Sequence, residues 1–177
     1  MKRALYLVSV LQLMEVHPAK NEAMPKLQVK DLQEFKTWEG KALPEGDWFT
    51  ITQEMINDFA QATQDFQWIH VDVEKAQKYS PFKKPVAHGF LSVALLSKLL
   101  GDTIKVQSVK MGVNYGLNKV RFPHPVLVDN KVRLESSIKW IEPYGENGVK
   151  VLWDCTVVID KADKPACVAE FISLMFE

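Results

Sequence analysis

Phe90-Leu91-Ser92-Val93-Ala94-Leu95-Leu96-Ser97-Lys98-Leu99-Leu100, entered through Gly89 and left through Gly101, is apolar on nearly every side of a helix. Such a helix must be wrapped by other structure rather than laid on a surface, and Gly101 is a suitable C-terminal stop. The chain supplies the wrapping downstream. Val109, Met111, Val113, Tyr115 and Leu117 alternate, as do Val132, Leu134, Ser136, Ile138 and Trp140, and then Val149, Val151, Trp153, Cys155, Val157 and Ile159. The period of two predicts long strands. Turn residues at 143–148 and 160–165 join the last three strands into an antiparallel meander.

An all-apolar helix followed by a long meander predicts an α+β fold in which a curved antiparallel sheet wraps a buried helix at about residues 90–100, as in a hot dog. A sandwich with the helix on one face gives the same pattern. Upstream, Thr52 is placed to cap a helix whose Met55, Ile56, Phe59, Ala60 and Thr63 recur at helical spacing. The stretch 64–69 breaks that pattern, Asp72 caps a short helix through Tyr79, and Pro81 and Pro85 bracket an irregular link.

At 177 residues the chain holds one domain, expected over 26–177. Residues 1–25 form an extension: Met1 to Arg3 precede an apolar run, Ala4 to Met14, that contains Gln12 and is too short to span a bilayer. Three readings fit it: a secretory signal without a small-x-small cleavage site, an apolar arm docking on the domain, or sequence ahead of a start at Met24. Twenty-two basic and 22 acidic residues exclude a basic nucleic-acid-binding face. Two cysteines exclude a disulfide-built scaffold and a four-cysteine zinc site. Centring the last hairpin on Ala162 and Asp163 sets Cys155 opposite Glu170, about three residues from Cys167 and too far for a bridge. Reduced thiols agree with a cytoplasmic protein that has no membrane partner.

Chemistry concentrates between the two main helices. Asp65 and His70, five residues apart across an irregular turn, can address one water that one group holds and the other deprotonates. Equally, Asp is a common turn residue and a His beside Trp68 and Ile69 can be a satisfied, partly buried side chain. Ala87-His88-Gly89-Phe90 opens the apolar helix, where free N–H groups can stabilise a carbonyl oxygen that gains charge. A turn glycine and a structural histidine are the plainer readings. Ser97, inside the apolar helix, needs a partner, which the Val93 carbonyl could be. No metal-ligand spacing and no Gly-rich nucleotide fingerprint occur, so neither a metal nor a cofactor is expected.

Phe59-Ala60-Gln61-Ala62-Thr63-Gln64-Asp65-Phe66-Gln67-Trp68-Ile69-His70-Val71-Asp72 and Pro85-Val86-Ala87-His88-Gly89-Phe90-Leu91 closely resemble the MaoC-like dehydratases, which include the (R)-specific enoyl-CoA hydratases. With Gln-Trp-Ile-His and the segment from Val109 to Pro123, the chain looks like the nodulation protein N branch. The resemblance covers about residues 30 to 177. It implies a hot-dog fold, usually a homodimer, acting on an acyl thioester of coenzyme A. It implies that Asp65 and His70 hold the water that adds to a trans-2-enoyl thioester. It also implies that the Gly89 N–H donates to the thioester carbonyl and that Ser97 helps position the imidazole. The implied product is a (3R)-3-hydroxyacyl-CoA.

Gln64 stands where many members have glycine, and Gln67-Trp68 where they have Asn-Pro; the larger ring bears on how the loop is braced and which acyl chains fit. Asp65 and His70 could titrate as a coupled pair. Lys83, Lys84, Lys119 and Arg121 could meet the phosphates of coenzyme A or be solvated surface charge. Two other functions are open to such a fold. A thioesterase would carry a carboxylate on or near the buried helix, and 90–100 contains none; a non-catalytic acyl-thioester binding protein would need no turnover.

Overall fold

The computed structural model describes residues 24–177, so the expectations for the apolar run at 4–14 lie outside the described residues. In chain order the elements are β1 (Leu27–Val29), α1 (Leu32–Lys36), β2 (Phe49–Thr50), α2 (Gln53–Thr63), α3 (Trp68–Val71), α4 (Val73–Tyr79), α5 (Gly89–Ala94) and α6 (Leu96–Thr103), then β3 (Ile104–Val106), β4 (Met111–Arg121), β5 (Lys131–Tyr144), β6 (Gly148–Ile159) and β7 (Cys167–Phe176). The local signals hold. Thr52 Oγ1 accepts from the Met55 N–H at 3.2 Å and Asp72 Oδ1 from the Lys75 N–H at 2.9 Å, so both predicted caps close their helices.

The sheet has the order β2-β5-β6-β7-β4, all antiparallel, and a two-stranded parallel pair joins β1 to β3. The α5–α6 rod lies against this sheet. Leu91, Leu96, Leu99 and Leu100 share one core with Leu134, Ile138, Val151, Trp153 and Val157, together with Phe35, whose ring centroid is 5.7 Å from that of Trp153. This is the hot-dog arrangement the apolar segment predicts. Among the described residues no helix is long and apolar enough to cross a membrane.

Three expectations change. The helix at 90–100 is a rod in two segments that meet at Leu95. Its hydrogen bonding carries on through the junction, since the Leu95 N–H donates to the Leu91 oxygen at 3.0 Å and the Leu99 N–H to the Leu95 oxygen at 2.9 Å. Gly101 does not stop it. The rod ends at Thr103, whose hydroxyl donates back to the Leu99 carbonyl at 2.8 Å, because Ile104 must enter the pairing with β1. Nor is the rod wrapped on most sides: Phe90 is 72% exposed, and Ala94, Ser97 and Lys98 face outward, because five strands of one chain cover a single stripe of it.

The last hairpin is offset by one residue. Cys155 pairs with Ala169 and Val157 with Cys167, so the loop centres on Ala162 alone and Glu170 falls opposite Asp154. The link from Asp160 to Ala166 is open rather than a two-residue turn, with Lys161 in the left-handed region. Both thiols are free and buried, and burial pushes Cys155 up to about 12 and Cys167 up to about 11.

β4 does not follow its sequence neighbour β5 into the sheet. It pairs with β7 at the far edge, so residues 122–130 must carry the chain across the sheet to β5, one strand in from the opposite edge. That link runs beside residues 85–87. The Ala87 N–H donates to the Val126 oxygen at 2.8 Å and the Val128 N–H to the Pro85 oxygen at 3.0 Å, which brings Phe122 and His124 to the start of α5.

A tight contact closes the β5–β6 turn. A Cβ on Gly148 would stand 2.6 Å from a Phe176 ring carbon and 2.8 Å from the Tyr144 carbonyl oxygen. The ring can swing away but the backbone oxygen cannot. Gly148→Ala is therefore expected to lower unfolding free energy by about 1–3 kcal/mol, measured as a shifted denaturant midpoint.

Candidate active site

The site begins where α2 ends. Gln64 caps it with φ at 61°, a left-handed conformation that glycine adopts freely and glutamine does not. The Gln64 amide offsets part of that strain by donating to the Gln61 oxygen at 2.7 Å. The turn releases Asp65 toward solvent. The next residues do not stay irregular, as the broken pattern predicts: Trp68 to Val71 form one helical turn, α3, and His70 sits on it. Trp68 is half-buried under the Lys75 ammonium, 5.3 Å from its ring centroid.

His70 is 7% exposed. Its Nδ1 lies 2.5 Å from the Val86 carbonyl oxygen. A carbonyl only accepts, so Nδ1 carries the hydrogen and Nε2 keeps the lone pair. Gln53 Nε2 donates to the His70 carbonyl at 2.8 Å and ties the turn to α2. Burial holds the His70 imidazole below its usual 6.5; the Val86 bond opposes this, the neighbouring His88 reinforces it, and Asp65 opposes it.

His88 is the residue whose importance the sequence does not convey. Its ring stacks on His70, centroids 3.7 Å apart and planes at 26°, and also meets Phe59 at 5.1 Å. Its Nε2–H donates to the Asp65 backbone oxygen at 3.0 Å and lies 4.0 Å from the Asp65 carboxylate. The structural reading of His88 thus describes its bond, but that bond is what fixes the loop carrying Asp65. Asp65 itself keeps a side chain 56% exposed, with Oδ1 accepting from the Gln67 N–H at 3.4 Å.

Asp65, His70 and His88 offer ligand atoms all within 4.8 Å of one another. A cation about 2.1 Å from two imidazole nitrogens needs ring planes that intersect at the ion. Planes tilted by only 26° with centroids 3.7 Å apart meet well beyond that distance, so this trio suits a shared water or proton better than a metal.

Gly89 is the first residue of α5, and a Cβ there would lie 3.0 Å from the Phe122 ring. A side chain there would push the Phe122 ring back by a few tenths of an ångström. Beside it a cavity of about 330 Å³ reaches His70 and is lined also by Ser92, Phe122, His124 and Val126. Ser97 is elsewhere. It is exposed, its hydroxyl donates to Asn114 Oδ1 at 3.0 Å rather than to an imidazole or to Val93, and it borders a second, mainly apolar cavity of about 310 Å³ with Leu100, Val106, Trp153 and Leu174. The structure therefore joins Asp65 to His70, sets Gly89 on the same cavity as His70, and leaves Ser97 apart in this chain. Of the four cations considered, Lys119 pairs with Glu170 at 3.6 Å, Arg121 donates to the Val120 oxygen at 2.7 Å, Lys83 donates to the Lys78 oxygen at 3.1 Å, and Lys84 is exposed.

The comparisons with known proteins agree with this architecture. Residues 34–152 match the family described as MaoC like domain. The 3-hydroxyacyl-thioester dehydratase Z of Mycobacterium tuberculosis is 49% identical over 133 residues, 75% of this chain and 87% of that protein. Nodulation protein N of Rhizobium meliloti is 37% identical over 144 residues, 81% of this chain and 89% of that protein. Among solved structures, the R-hydratase PhaJ1 from Pseudomonas aeruginosa superposes with a TM-score of 0.61 at 24% identity, covering 78% of this chain and 82% of that one.

Proposed function

Because the chain belongs to the MaoC-like dehydratase family, and is thus a carbon–oxygen lyase of the dehydratase kind, we propose that it adds water to trans-2-enoyl-CoA to give (3R)-3-hydroxyacyl-CoA. The observation that carries this reading is the tautomer of His70: its Nδ1–H is spent on the Val86 oxygen, leaving Nε2 as a base on a ring that has a nitrogen within 4.8 Å of an Asp65 carboxylate oxygen. Asp65 and His70 hold the water. As its oxygen bonds to C3, Nε2 takes one proton, and electrons move through the double bond onto the thioester oxygen. The Gly89 N–H, in the first turn of α5 and so without an intrahelical acceptor, donates to that oxygen as charge develops. A proton from the His70–Asp65 pair then reaches C2 and the thioester is restored. Ser97 belongs to the substrate set through the second cavity, whose apolar lining suits an acyl chain. The cytoplasmic setting rests on two buried thiols that stay unpaired.

Loss of the conjugated enoyl absorbance, without thiol release, tests the reaction on trans-2-enoyl-CoA substrates of several chain lengths, and chiral chromatography tests the hand of the product. Thiol release would assign a thioesterase instead, and no change with any substrate a binding protein. Asp65→Asn that kept its fold and full rate would remove the shared-water step. The pH profile has a defined sign. Neutral His70 is the working form and burial lowers its pKa from 6.5, so kcat/KM is expected to stay level down through pH 6.5 and to fall only below it. Stability has the same sign: the unfolded chain takes the proton first, so unfolding free energy declines as pH drops below 6.5 until the folded value is passed.

A homodimer completes the proposal. β4 is an edge strand on which Met111, Val113, Tyr115 and Leu117 are exposed, Tyr115 by 54%. An edge of that kind is a template for further pairing, and an antiparallel edge can pair with its own copy about a two-fold axis. Exposed Phe90 and Ala94 on the open face of the rod gain cover in the same assembly. Val113→Lys is expected to shift the mass in analytical ultracentrifugation from dimer to monomer.

A further inference from the structure

Two polar side chains in the cavity beside His70 have no part in the hydration step. Ser92, 7% exposed, stands one turn after Gly89 on α5. His124 comes from the crossing link, fixed between Pro123 and Pro125, whose rings restrict the backbone on both sides. Its Nδ1 lies 2.9 Å from the Pro125 carbonyl oxygen. That oxygen can only accept, so Nδ1 carries the hydrogen and Nε2 is left as an acceptor. Phe82, Val86, Phe122 and Val126 make most of the remaining wall apolar, so these two side chains supply its polar points.

A hydroxyl that can donate and a nitrogen that can only accept, on one apolar cavity, complement a ligand group with one C=O and one N–H. We propose that Ser92 and His124 bind a secondary amide of the thioester's carrier arm, with the Ser92 hydroxyl donating to the amide oxygen and the amide N–H donating to His124 Nε2. Pantetheine-type carriers place such an amide close behind the sulfur. The cavity reaches His70 as well, so an arm anchored at this amide presents its thioester to the base. Both are positioning residues, and the inference rests on the reading that the ligand is an acyl thioester.

Two crotonyl thioesters separate the effects: that of N-acetylcysteamine, which keeps the amide next to the sulfur, and that of butanethiol, which has none. His124→Phe and Ser92→Ala are each expected to raise KM about tenfold for the first, the factor set by one hydrogen bond of ordinary net worth. They should leave kcat unchanged and leave the butyl thioester unaffected. His124→Asn, which keeps an acceptor oxygen, should regain most of the loss. Equal effects on both thioesters, or none on either, overturn the proposal. Calorimetry with pantetheine, which needs no turnover, decides the matter if wild-type protein hydrates no thioester: binding that weakens about tenfold in His124→Phe supports the amide site, and absent or unaltered binding sinks it. The thermal midpoint of each variant confirms that it folds.

Discussion

His70→Ala is expected to lower kcat/KM for enoyl-thioester hydration by about 10² to 10⁴, the range for removing a positioned general base. In the proposed mechanism the loss falls on kcat, because the imidazole acts on the water rather than on the carrier arm. Truncation also strips the Val86 carbonyl of its donor and leaves His88 without its stacked neighbour. An unsatisfied buried acceptor costs about 1–3 kcal/mol, so the variant must be shown to be folded at the assay temperature. His70→Gln supplies the control: an amide N–H can still reach toward Val86, but no side-chain base remains. If it unfolds later in denaturant than the alanine variant and is equally inactive, the loss belongs to chemistry. Hydration within tenfold of wild type in either variant would move the base elsewhere.

His88→Leu is expected to cost about 10²-fold in the same assay without touching the water. The leucine fills much of the space against Phe59 and His70 but cannot donate to the Asp65 backbone oxygen, which His88 Nε2 holds at 3.0 Å. Asp65 follows a left-handed Gln64 and its side chain is more than half exposed, so little else in the described residues fixes its carboxylate. A displacement of about 1 Å at a reacting group can cost 10²-fold. His88→Gln, which restores an N–H donor, should recover part of the rate. Recovery separates loop positioning from general loss of packing, which the glutamine would not repair.

Much of the fold could be read from the chain because the evidence for it is local. A Thr or Asp cap acts within three residues, and strand alternation shows in a window of eight or ten; α2, α4 and the β5–β6–β7 meander follow directly. What escaped reading depends on partners distant in the chain. Nothing in 109–121 says that β4 pairs with β7 rather than β5, or that its apolar side chains face outward. The offset of the last hairpin turns on whether its loop has an odd or even count, which Asp160-Lys161-Ala162-Asp163-Lys164-Pro165 does not reveal. In the site, Asp65 and His70 stood out only through an ordered motif, since each alone has an ordinary structural explanation. Ser92 and His124 line one cavity only because residues 122–130 cross the sheet. Ser97 shows the opposite limit: its place in a motif did not bring it to the imidazole of its own chain.

The atom that orients His70 has no letter in the sequence. It is the peptide oxygen of Val86, so the aim of the base does not depend on a side-chain functional group at that position. A peptide oxygen also carries no formal charge. Where a buried carboxylate backs a histidine, it steadies the imidazolium through the reaction; here the backing is weaker, and burial and the stacked His88 both disfavour the cation. In the proposed mechanism burial disfavours the protonated ring, so the proton taken from water is passed on to C2 rather than held on His70. Hydration and its reversal share that constraint, which suits a catalyst working near equilibrium in either direction.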